Sequence, residues 1–112
     1  MAFGRPTIST HVLDTAGGTP AAGIRVLLVR GGLDGDDWSG VVVGDAVTDE
    51  DGRIADLLGG QPLERGSYRL EFLLGDGFFR SLSVWLDIDD PSRSYHVPLL
   101  RSPYGLTTYR GS

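Results

Sequence analysis

The chain has no cysteine, no lysine and no asparagine. Without cysteine there is no disulfide framework, no thiolate nucleophile and no cysteine-based metal site. Without lysine, all 10 permanently cationic side chains are arginines, whose planar fork suits planar, oxygen-bearing groups. No apolar run is long enough to span a membrane, and Met1-Ala2-Phe3-Gly4-Arg5-Pro6 lacks the apolar run of a signal peptide, so a cytoplasmic protein with no membrane partner is expected. A sustained helical period is missing as well, and 17 glycines with six prolines disfavour long helices. Positive charge is in deficit. The formal net charge is −5, with acids gathered at residues 34–37 and 49–51, which argues against nucleic acid and anionic surfaces as partners.

What the chain does have is strand after strand. Its 112 residues suit one domain spanning 1–112, with a core modest enough that oligomerisation would add useful buried area. Residues 7–13 are β-rich and are broken by Gly17-Gly18 and Pro20. Residues 24–30 form an apolar run fit for a central strand, and 41–48 resume extended character. Tyr68, Leu70, Phe72 and Leu74 alternate with Arg69 and Glu71; Leu82, Val84, Leu86 and Ile88 alternate with Ser83, Trp85 and Asp87. Segments 95–100 and 106–110 close the set. About eight short strands at this spacing predict an all-β sandwich of two antiparallel sheets. Glu50-Asp51-Gly52 reads as a turn of hairpin type. The Gly/Asp-rich stretch 31–40, which carries Trp38, reads as a surface connection; it is too acidic to cradle phosphate and lacks calcium-loop spacing.

Few residues offer chemistry. The only two histidines, His11 and His96, lie in predicted strands near opposite ends of the chain. Each alone is an ordinary strand histidine. In a small sandwich, however, first and late strands often lie side by side, and two converging imidazoles suit acid–base work near neutral pH. Two histidines supply half a tetrahedral zinc site, and no carboxylate stands at ligand spacing to either, so no metal is expected. Arg53, after the Asp51-Gly52 turn, and Arg110, near the end, are each unremarkable alone. Ser112 has no Gly-x-Ser-x-Gly elbow around it; its hydroxyl and α-carboxylate suit orienting a side chain or a water.

Taken together these residues resemble the 5-hydroxyisourate hydrolases of the transthyretin-related family. Ile8-Ser9-Thr10-His11-Val12-Leu13-Asp14, with Gly18, Pro20, Ala21 and Gly23, looks like that family's opening strand and turn. Thr48 with Asp51-Gly52-Arg53 looks like its central motif. Residues 95–100 with Ser102-Pro103 look like its penultimate strand, and Thr108-Tyr109-Arg110-Gly111-Ser112 like its C-terminal signature. The resemblance implies a transthyretin-like (prealbumin-like) sandwich, assembled as a homotetramer with sites at the dimer–dimer interface. It implies cofactor-independent hydrolysis of 5-hydroxyisourate to 2-oxo-4-hydroxy-4-carboxy-5-ureidoimidazoline in urate degradation. By motif, the catalytic positions are His11, Arg53, His96 and Ser112. Arg53, Thr108, Tyr109, Arg110 and Gly111 are the substrate-binding positions. Either histidine can be the base.

The chain also departs from the family pattern. Ser94 stands where another histidine is usual, Arg101 follows Leu99-Leu100 in place of an apolar residue, and Leu106 replaces an aromatic. Gly75-Asp76-Gly77 runs at once into Phe78-Phe79-Arg80, so the family's short inter-strand helix is expected to be lost or reduced to a turn. The competing functions are a non-catalytic small-molecule binding module and a structural or adhesive sandwich. The histidine–arginine–histidine set and the terminal signature favour the hydrolase over both.

Overall fold

The computed structural model describes residues 5–31 and 40–111; residues 1–4, 32–39 and Ser112 lie outside them. The reading of 31–40 as a surface connection therefore falls mostly outside the described residues. Among these there is no helix, and ten strands form two sheets. The first sheet holds β1 (Ile8–Asp14), β2 (Thr19–Pro20), β5 (Arg53–Ile54), β8 (Tyr95–His96), β9 (Leu99–Ser102) and β10 (Gly105–Thr108). The second holds β3 (Arg25–Arg30), β4 (Val41–Val47), β6 (Gly66–Leu73) and β7 (Ser81–Ile88), in the order β4-β3-β6-β7.

Alternating apolar residues build the core face of the second sheet. Val26 and Leu28 of β3 and Leu70 and Phe72 of β6 are fully buried, as are Ile8, Val12 and Leu99 of the first sheet. Burying each such side chain contributes about 1.5–3 kcal/mol. The same alternation on β1 buries Ile8, Thr10 and Val12 and leaves Ser9, His11 and Leu13 half-buried on the outer face. Thr10 is the polar exception inside, and its hydroxyl donates to the Val97 carbonyl at 2.6 Å.

Three expectations need correction. The second sheet is wholly antiparallel, but the first is mixed, because β1 runs parallel to β8 and β9. Parallel neighbours need a long crossover, and the whole second sheet lies between them in sequence. The expected strand 95–100 is divided into β8 and β9 at Pro98, which has no N–H to give the ladder; with the two-residue strands β2 and β5, this takes the seven extended segments read from the sequence to ten strands. The Asp51-Gly52 turn does not close a hairpin. It carries the chain from β4 in one sheet to β5 in the other, where β5 pairs with β1.

The β6–β7 connection, residues 74–80, contains no helix, as the short sequence there predicts. Leu74 N–H donates to the Arg80 carbonyl at 2.8 Å, which closes the turn. Arg101 Nη2 lies 3.0 Å from Asp76 Oδ1, so the arginine that replaces an apolar residue is tied to this connection.

Candidate active site

β1 gathers the site. On one side His11 is the register partner of Arg53 in β5, and on the other Ser9 is the partner of His96 in β8. Because alternate residues of a strand share a face, these pairings set His11, Arg53 and His96 on the outer face of the first sheet. The two histidines expected to converge are thus brought onto adjacent strands, with Arg53 across β1 from His96. Among the described residues no group of three or more His, Asp or Glu side chains is arranged to hold a metal ion.

The turn before Arg53 is fixed by one carboxylate. Asp49 Oδ1 accepts the backbone N–H groups of Asp51 and Arg53, both at 2.9 Å. Gly52 has φ +74°, and a Cβ there would lie 2.4 Å from the Val12 carbonyl oxygen. Only glycine fits that approach, and it lets the Gly52 carbonyl accept the Val12 N–H at 2.7 Å. Arg53 is thereby locked in register with His11 while its side chain stays exposed. It makes no ion pair among the described residues.

His96 is held from both sides. Ser9 Oγ lies 2.9 Å from His96 Nδ1. Gly111 forms an isolated bridge to His96, its N–H donating to the His96 carbonyl at 2.7 Å. A Cβ on Gly111 would stand 2.8 Å from His96 Cδ2, so the terminal signature needs glycine there in order to lie against the imidazole. Partial burial lowers the His96 pKa below the usual histidine value, and the positive charges of Arg53 and His11 lower it further. Near neutral pH this imidazole is neutral, with a nitrogen able to take a proton.

The rest of the described terminal signature lies toward β7. Thr108 Oγ1 donates to the Pro98 carbonyl at 2.8 Å, which bridges the gap the proline leaves. Tyr109 is 53% exposed. Arg110 does not join the histidines within this chain: its guanidinium lies 4.9 Å from the centre of the Tyr95 ring. With Thr108 and Tyr109 it lines a cavity of about 310 Å³ against β7, beside Trp85. Ser112 lies outside the described residues. Two contributors escaped the sequence reading, Asp49 and Ser9. Ser9 had one available signal, since it stands two positions before His11 on a strand and so shares its face.

Comparison with known proteins covers nearly all of this architecture. A model of the HIUase/transthyretin family matches residues 8–111. The 5-hydroxyisourate hydrolase of Deinococcus radiodurans is 41% identical over 121 aligned positions, covering 97% of this chain and 98% of that protein. Among solved structures, Klebsiella pneumoniae 5-hydroxyisourate hydrolase superimposes with a TM-score of 0.79 at 35% identity, covering 95% of this chain and 99% of the other. Sea bream transthyretin in complex with thyroxine gives 0.79 at 27% identity, with 93% of each chain covered.

Proposed function

The chain belongs to the HIUase/transthyretin family, and on that premise we propose that it is a 5-hydroxyisourate hydrolase. The observation that carries the reading is the placement of His11, Arg53 and His96 on one outer face through the pairings of β1 with β5 and β8. Hydrolysis of a cyclic amide needs a base for water and a cation for the developing oxyanion. His96, neutral and part-buried, takes a proton from water as its oxygen adds to the ring carbonyl carbon. Arg53, exposed and without an ion pair among the described residues, holds the carbonyl oxygen as it becomes negative. The C–N bond then breaks with its electron pair going to nitrogen, and a histidinium returns the proton to that nitrogen. His11, in register with Arg53, orients substrate beside it. No cofactor is required by this sequence of steps.

The assembly proposed is a homotetramer with sites at the dimer–dimer interface. It is supported by the open outer face that carries the histidines and by β7, whose second edge pairs with no described strand. Tyr109, Arg110, Gly111 and Ser112 are taken as the segment that completes the cleft. The test generates 5-hydroxyisourate in place with urate oxidase and follows its ultraviolet absorbance. Accelerated decay with the protein, reduced about 10²–10⁴-fold in His96→Ala, is expected. A folded protein that leaves the decay unchanged would favour a non-catalytic binding module.

A further inference from the structure

The His96 imidazole is gripped along both edges that flank its attachment carbon. Nδ1 faces Ser9 Oγ at 2.9 Å. Cδ2 faces Gly111, where even a methyl group would come within 2.8 Å. With those edges occupied, the ring's remaining nitrogen, Nε2, points away from the sheet backbone. The tautomer still has to be set, because a hydroxyl can donate to Nδ1 or accept from it, and the two choices give Nε2 opposite roles. Arg53 sits on the same face, and its charge acts on His96. A cation on that side favours a lone pair facing it over an N–H.

We infer that Ser9 is a positioning residue, whose hydroxyl accepts a hydrogen bond from Nδ1–H of His96 and so keeps the Nε2 lone pair directed at the outer face of the first sheet. The inference deepens the hydrolase reading, in which Nε2 is the atom that deprotonates water. Ser9 touches neither water nor substrate in this role. It works by excluding the tautomer that would present an N–H to the incoming water, and by fixing the ring about its own bond. The register makes this possible: Ser9 and His96 are directly opposed on parallel strands, and Val97 N–H donating to the Ser9 carbonyl at 2.9 Å pins the pair from the next residue.

The test combines nitrogen-detected NMR of the imidazole with steady-state kinetics. In the unaltered protein the His96 resonances should show the proton on Nδ1. Ser9→Ala should give a mixed tautomer population and a kcat lowered about 10- to 100-fold with KM little changed. Ser9→Thr, which keeps the hydroxyl and suits a strand, should restore both. A proton found on Nε2 in the unaltered protein overturns the inference, and so does a folded Ser9→Ala protein with unchanged kcat. If Ser9→Ala does not fold, the tautomer of the unaltered protein still decides. If the unaltered protein does not hydrolyse 5-hydroxyisourate, the functional reading fails, while the NMR spectrum still settles the Ser9 bond.

Discussion

Two arginines stand on the outer faces of the two sheets and are treated in opposite ways. Arg69 on β6 is only 7% exposed; its Nε lies 2.7 Å from Glu71 Oε1 and its guanidinium 5.4 Å from the centre of the Trp85 ring. Arg53 on β5 is exposed and makes no ion pair among the described residues, although its backbone is tied by Asp49 and by the β1 ladder. A guanidinium already paired and covered has its charge committed to the fold. A guanidinium held by its backbone but left open keeps its charge for a ligand. Residue type was therefore no guide to role here; the partners of the side chain were.

Substitutions can break this contrast. Of the substitutions that test it, Arg53→Ala should have the largest effect, lowering turnover about 10²–10³-fold while shifting stability by no more than about 0.5 kcal/mol. A variant that keeps full turnover would take Arg53 out of the mechanism. Gly111→Ala comes next: displacing the terminal segment or the imidazole by an ångström should cost about 10- to 100-fold in kcat, and unchanged kinetics would mean the close approach is dispensable.

The pH profile sharpens the same picture. Because burial and the charges of Arg53 and His11 hold His96 below its ordinary value of 6.5, the neutral base persists as pH falls through that value. Activity should decline only at lower pH, and a half-maximal rate at or above 6.5 would contradict the assignment. For turnover, Arg69→Ala is the smallest case. It should leave kcat within about twofold and instead destabilise by about 2–3 kcal/mol in chemical denaturation, because Glu71 loses its partner in a partly buried site. If Arg69→Ala abolished activity in a folded protein, the division of labour between the two faces would be wrong.

Much of this was legible in the sequence, and the failures have physical reasons. The alternation in β6 and β7 gave both strands and their buried faces, because a period of two is a local property. Gly75-Asp76-Gly77 rightly predicted a turn, since the segment is too short for anything longer. Pro98 was visible, yet its effect on a strand that looked continuous depends on which neighbour needs its N–H. The pairing of β5 with β1 instead of β4 could not be read from the Asp51-Gly52 turn, which fits either path; the choice rests on Val12 reaching the Gly52 carbonyl. His11, Arg53 and His96 were named from motif, but their common face and the grip of Ser9 on His96 are matters of register between β1 and two strands far from it in the chain, β5 and β8.

The alternation along β1 separates two kinds of change by the parity of the residue number. Even positions Ile8, Thr10 and Val12 point into the core, and odd positions Ser9 and His11 face the outer surface. A mutational library confined to the odd positions would sample acid–base and recognition properties on a nearly constant scaffold. One confined to the even positions would sample folding while leaving the reacting groups untouched. Few short segments offer an engineer such independent handles, and here both run along a single seven-residue strand.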